Sequence, residues 1–271
     1  MKNNKNVLYS CITGGYDNIP VHKYVDANWD YVLFTDNPDL IAAGHFAHWT
    51  IKPLPFDKLD NVKNSRWPKV NAHRIFPEYE YSLYVDGNII INNKNIFDLA
   101  DKLIRQNVLF ALPNHPERTC IYDEAEIIKQ LKIDFPKTVD AEMAFLRREK
   151  YPAQNGLSEN NILLRKHNAI KPTLDLWWSM VEKYSKRDQL SLMYAMWKTG
   201  IKRTPIYTDE NGFGIHHKCD DFTFVHSQSH DQNKIPTKPV SKVWKFIVKL
   251  IGCFIPVKKY RRRIKQKLMG N

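Results

Sequence analysis

Apolar runs of four to six residues alternate with helix-patterned segments through the first two thirds of the chain, and four of the runs stop at a polar cluster. Val7–Ile12 leads into Thr13–Asp17, Tyr31–Phe34 into Thr35-Asp36, Tyr81–Val85 into Asp86–Asn88, and Val108–Leu112 into a segment holding His115 and Arg118. This pattern predicts an α/β fold with a mainly parallel sheet, because parallel strands need long crossovers that are usually helical. In such sheets ligands gather at the carboxyl ends of the strands, where all four clusters fall.

The helices follow from periodicity and punctuation. Pro68 suits the first turn of a helix running to about Phe76 and stopped by Pro77. Asn95 with Asp98 resembles a capping pair for a helix with Ile96, Leu99, Leu103 and Ile104 on one face. Asp123–Ile133 and Val139–Lys150 have helical patterns, Pro172 opens a helix carrying Leu174, Trp177, Trp178 and Val181, and another runs from near Asp188 to Gly200. Asn161–Leu164 and Phe222–Val225 are short strands, the latter ending at His226.

The most pointed chemistry is at Asp86-Gly87-Asn88. Side chains two apart on an extended chain point the same way, and glycine between them leaves room for a turn and a ligand. Two oxygen donors at a strand end suit a hard divalent cation, Mg2+ or Mn2+, completed by phosphate and water. The plain alternative is an Asp-Gly turn. Arg66 and Lys69 lie three apart, so both can face one site and offset diphosphate charge. Thr13, Gly14, Gly15, Tyr16 and Asp17 fit no dinucleotide or P-loop spacing, yet a glycine pair brings backbone close to a base or ribose, with Tyr16 placed to stack and Asp36 to accept. His115 and Arg118 are candidates for holding an acceptor sugar or phosphate. Asp188 is either a helix N-cap or a carboxylate acting as general base or orienting a sugar hydroxyl, beside Gln189 as a donor contact. Glu159 is a second carboxylate candidate, and His226 is placed to complete a mixed Asp/Asn/His shell.

The net charge of +12 is not spread over the chain. Ten Lys or Arg and no acid lie between Val240 and Asn271, leaving 31 basic against 29 acidic residues before them. The globular part, residues 1–226, is therefore nearly neutral; 227–239 is a polar, proline-containing linker, and 240–271 a basic amphipathic helical tail. Trp244, Phe246 and Phe254 make the tail too apolar for a simple nucleic-acid arm, so an anionic membrane surface is its expected partner and nucleic acid is not. No stretch reaches the roughly 20 apolar residues of a membrane span, no secretory-type apolar core follows Met1, and four cysteines without paired spacing fit a reducing compartment. The expected location is the cytoplasmic side, peripheral on the inner face of the cell membrane.

Taken in order, Thr13–Asp17, Phe34-Thr35-Asp36, Arg66 with Lys69, Tyr84–Asn88, His115–Arg118 and Arg187-Asp188-Gln189 resemble a bacterial and plant family of small GT-A-like glycosyltransferases. That family was long catalogued as a domain of unknown function, and its plant members include a mucilage-related transferase. The likeness covers about residues 6–230 and implies a GT-A-like nucleotide-binding sandwich around a mostly parallel sheet. It implies a nucleotide-sugar donor with Mn2+ or Mg2+ held by Asp86 and Asn88, Thr13–Asp17 and Asp36 at the nucleotide, and Asp188 at the donor sugar or acceptor. Asn88 departs from the pattern, standing where many GT-A enzymes have aspartate. The expected activity is hexosyl-type transfer to a lipid-linked or cell-surface glycan acceptor. The alternative is a membrane-associated nucleotide-sugar-binding protein with a degenerate site.

Overall fold

The structure, a computed structural model, describes residues 6–15 and 17–225. Tyr16, His226, the linker and the basic tail lie outside the described residues. The strands are β1 (Asn6–Ile12), β2 (Trp29–Thr35), β3 (His45–Phe46), β4 (Trp49–Pro53), β5 (Ser82–Val85), β6 (Ile89–Ile91), β7 (Phe110–Pro113), β8 (Ile162–Arg165), β9 (Thr204–Ile206) and β10 (Phe222–Phe224). The helices are α1 (Pro38–Ala43), α2 (Asn61–Val70), α3 (Ala72–Ile75), α4 (Asn95–Arg105), α5 (Ile121–Gln130), α6 (Pro136–Arg148), α7 (Lys171–Lys183) and α8 (Gln189–Thr199).

Eight strands form one sheet in the order β3-β4-β2-β1-β5-β8-β7-β9. The expected α/β architecture is present, with β4, β2, β1 and β5 parallel at its centre. β8 runs antiparallel to both β5 and β7. That reversal sets up the site: the residues just before β8 arrive beside the carboxyl end of β5. A second, two-stranded sheet pairs β6 with β10 in antiparallel register, Phe224 opposite Ile89. It brings the chain near residue 217 back to the turn after β5.

Alternation along the strands divides the core. Val7, Tyr9 and Cys11 of β1 join Val32, Phe34, Tyr84 and Leu163 under α2, α5, α6, α7 and α8. Leu8, Leu33, Leu83, Val85 and Leu164 face the other way and meet Ile96, Phe97, Ala100 and Leu103 of α4.

Two local expectations are corrected. Pro68 does not open a helix; it sits inside α2, which begins at Asn61 behind Asp60. The Asp60 carboxylate accepts from the Val62 and Lys63 amides at 3.0 and 3.1 Å, a true N-cap, while the chain breaks at Asn71 and resumes as α3. Asn95 and Asp98 form no capping pair either. The Asn95 amide donates to Asp221 at 2.7 Å, and Asp98 pairs with Lys94 at 3.2 Å.

Candidate functional site

Three chain segments build the ion-pair network at the carboxyl end of β5. The first is the turn after the strand. A Cβ built on Gly87 would lie 2.5 Å from Ile12 Cγ1, so only glycine lets the Asp86–Asn88 turn pack against the end of β1. The Asp86 amide donates to the Asn161 carbonyl at 2.9 Å and the Val225 amide to the Asn88 carbonyl at 2.8 Å, pinning the turn on both sides.

The second segment is α2. Its three-residue spacing puts Arg66 and Lys69 on one side of the helix. Lys69 Nζ, on a side chain only 2% exposed, donates to Asp86 Oδ1 at 3.2 Å and pairs with Asp188 Oδ2 at 3.1 Å. Arg66 Nε pairs with Asp188 Oδ1 at 3.2 Å. Beneath them, the buried Arg165 donates to the Lys69 carbonyl at 2.8 Å and to the Tyr9 hydroxyl, which in turn donates to the carbonyls of Pro68 and Lys69. These bonds satisfy carbonyls at the end of α2 and fix the backbone that carries Lys69.

The third segment enters α8. Asp188 stands at the cap position, but its backbone is helical and its side chain makes no cap bond. The carboxylate turns to Arg66, Lys69 and the Asn160 amide, which donates to Oδ2 at 3.2 Å. The fully buried Trp177 indole holds the Asp188 carbonyl at 3.0 Å. Burial alone would raise the Asp188 pKa, but Lys69, Arg66 and Arg187 outweigh it and hold it at about 2. Burial likewise opposes charge on Arg66, and Asp188 and Asp86 outweigh it, so its pKa is raised.

These side chains line a cleft of about 260 Å³ with Asn88, Glu159, Asn161, Gln189, His217 and Phe224. The structure thus brings together Asp86, Asn88, Arg66, Lys69, Glu159, Asp188 and Gln189. Thr13, Gly14 and Asp36 meet each other at the neighbouring strand ends: both Asp36 oxygens accept from the Gly14 amide at 3.0 and 2.8 Å, and Thr13 donates to the Asn61 carbonyl at 3.0 Å. Neither these nor Gly15 and Asp17 are among the cleft-lining residues.

His115 and Arg118 are not brought to the cleft. After β7 the chain folds on itself, and the buried His115 Nδ1 accepts from the Glu117 and Arg118 amides at 3.1 and 3.0 Å. Arg118 is spent on Glu124 at 2.6 Å and Glu117 at 2.9 Å. Burial lowers the His115 pKa. The cluster closes on itself, which suits a structural turn.

Two further residues at the cleft, His216 and His217, carry little functional signal in the sequence. Both Nε2 atoms converge on Glu159 Oε2, at 3.1 and 2.8 Å. Burial would raise the Glu159 pKa, but the two histidines lower it to about 2. The only cue in the sequence is the pair itself, in a stretch without helical or strand periodicity.

The first 230 residues match the TOD1/MUCI70 glycosyltransferase-like domain, and the chain belongs to that family. It is similar to the probable hexosyltransferase MUCI70 of Arabidopsis thaliana, with 30% identity over 158 residues. The match spans 55% of this chain but only 27% of that protein. Among solved structures it is similar to mouse xyloside xylosyltransferase 1 in its apo form, at 10% identity and a TM-score of 0.42, covering 73% of this chain and 84% of that one. It is also similar to residues 1–349 of S. aureus TarS, at 11% identity and a TM-score of 0.42, covering 98% of this chain and 69% of that one.

Proposed function

We propose that the cleft transfers a hexose from a nucleotide-diphosphate donor to a glycan or lipid-linked acceptor. The observation that carries this reading is the placement of Lys69 and Arg66, two largely buried cations held at the strand end by Asp86 and Asp188. A departing diphosphate gathers negative charge, and cations already fixed in a partly dry site stabilise it without reorganising. Arg187 adds a third cation at the cleft wall. Family membership supports the same class of reaction.

A divalent cation fits the oxygen donors of Asp86 and Asn88, which share the glycine-tight turn and both line the cleft. When bound it would supply Lewis-acid neutralisation of the diphosphate. Asn88 contributes no charge and Lys69 already occupies one Asp86 oxygen, so these two residues alone would hold Mn2+ or Mg2+ weakly, and donor phosphate would have to complete the shell. Asp188 serves as the anchor of Lys69 and Arg66 and as an acceptor for a sugar hydroxyl. With both oxygens facing cations and a pKa of about 2, it is a poor general base.

The test is a screen of UDP-, GDP- and CMP-hexoses for thermal stabilisation and turnover, repeated with Asp86→Ala. The variant is expected to melt close to the parent and to lose turnover by at least about 100-fold. A folded, fully active Asp86→Ala protein overturns the assignment. Tight donor binding without turnover in the parent identifies a degenerate binding protein instead.

We propose further that residues 240–271 dock the protein on anionic membrane at the cytoplasmic face, each basic residue contributing about 1 kcal/mol near the surface. Truncation after Pro239 is expected to abolish sedimentation with phosphatidylserine vesicles while the domain still melts cooperatively. Unchanged sedimentation rules the tail out as the anchor.

A further inference from the structure

We infer that Glu159, His216 and His217 form a transition-metal site on the wall of the cleft, built from residues other than Asp86 and Asn88. Consecutive residues on an extended strand point to opposite faces. The 3-10 turn at His216–Lys218 instead lets both rings approach one carboxylate, with their centroids 4.3 Å apart. Both Nε2 atoms reach Glu159 Oε2, and the His217 Nε2 also lies 2.9 Å from Oε1. All three ligand atoms lie within 4.8 Å of one another. A tetrahedral ion with bonds of about 2.0–2.2 Å holds its ligands about 3.3–3.6 Å apart, so the two carboxylate–imidazole distances of 3.1 and 2.8 Å need to open by roughly 0.2–0.8 Å.

The surroundings hold the donors in place. His216 is fully buried; the Asn161 side-chain amide lies 3.1 Å from its Nε2 and would have to give up that nitrogen's lone pair to an ion. A Cβ on Gly214 would collide with the Asn114 carbonyl, so glycine alone lets this loop close on the segment after β7, where Asn114 bridges to Ser158 beside Glu159. His217 lies against Phe224 with ring centroids 4.2 Å apart, and Phe224 is fixed by the β6–β10 ladder. The exposed side of the cluster faces the cleft, since Glu159 and His217 both line it. An ion there keeps open positions toward whatever occupies the cleft.

The donor chemistry names the class of ion. Two imidazoles and a carboxylate favour borderline transition ions such as Zn2+ or Co2+ over Mg2+, which prefers all-oxygen shells. The plainer account is a carboxylate pillar accepting two histidine hydrogen bonds, and it predicts no metal affinity.

The 271-residue chain, stripped with chelator, is titrated with Co2+ and followed by its visible absorption, then challenged with Zn2+. One equivalent of Co2+ is expected to give the bands of a nitrogen-ligated ion, displaced by Zn2+. His217→Ala and Glu159→Gln should each raise the dissociation constant at least about tenfold, and Asp86→Ala should leave it within about twofold. His217 is partly exposed and Gln is nearly isosteric with Glu, so at least one variant should retain the parent's metal-free melting and report on the site. The inference falls if the parent binds neither ion, if both substitutions leave Co2+ binding unchanged, or if Asp86→Ala abolishes it. Sugar transfer is not read here, so either outcome leaves the transferase proposal to its own test.

Discussion

Asp188→Asn is expected to cost about 3–5 kcal/mol of stability and to lower transfer by at least about 100-fold. The substitution keeps shape and removes charge. It leaves Arg66, 19% exposed, and Lys69, 2% exposed, sharing the single carboxylate of Asp86, which only Lys69 reaches at 3.2 Å. Breaking a buried pair from one side is far costlier than the pair's net worth, because the surviving charge stays out of water. The folded Asp188 pKa, at about 2, is depressed from 3.8, so its contribution is present above pH 3.8 and disappears as pH falls through about 2. The measurement is urea denaturation near neutral pH, with Lys69→Met and the double variant completing a cycle. The double variant should lose less than the sum of the singles, since it removes the stranded cation along with its partner. Strict additivity, or an Asp188→Asn protein as stable as its parent, removes the ion-pair account.

That network was only half legible in the sequence. The strands β1, β2, β5 and β8 announce themselves as apolar runs, and their polar ends point to one rim of the sheet. The convergence of Arg66, Lys69 and Asp86 follows from helix spacing and strand ends. Asp188 was ambiguous because an aspartate before a helix is usually a cap, and nothing local says that a cation pair from α2 will draw its carboxylate away. Helix α2 was misplaced because Val62-Lys63-Asn64-Ser65 shows no apolar stripe: the segment buries polar residues, Asn64 bonding Leu59 through both amide and carbonyl. Proline then looked like a beginning, although it falls near the end. His216 and His217 were invisible for a different reason. Their position depends on β10 pairing with β6, more than 130 residues away in sequence, through strands too short to show a period. Asn95 failed as a cap for the same reason, its partner Asp221 arriving from that distant segment.

The loop that delivers Asp188 contains a second buried charge problem, with an expected effect of similar size. Glu142 of α6 is fully buried; its Oε2 accepts from the Ser185 amide at 3.2 Å, and its Oε1 has no hydrogen-bond partner among the described residues. Asp134 holds the same loop, accepting from the Ser185 hydroxyl at 2.7 Å and the Lys186 amide at 2.9 Å. Burial pushes the Glu142 pKa from 4.5 up to about 8; the Ser185 bond and Lys63 oppose the shift, and Asp134 reinforces it. The folded protein therefore binds a proton that the unfolded chain has released between those values. Stability from this group is complete below pH 4.5 and is lost as pH rises through about 8. Glu142→Gln imitates the protonated form at every pH. It should match the parent near pH 4 and exceed it by roughly 3–5 kcal/mol near pH 9, read as diverging denaturation midpoints. A gap that stays constant with pH would mean that Glu142 does not titrate in this window. If the gap opens, amide exchange at Ser185 and Lys186 should slow in the variant at high pH, because the charge repelled from the core is what loosens the loop leading to Asp188.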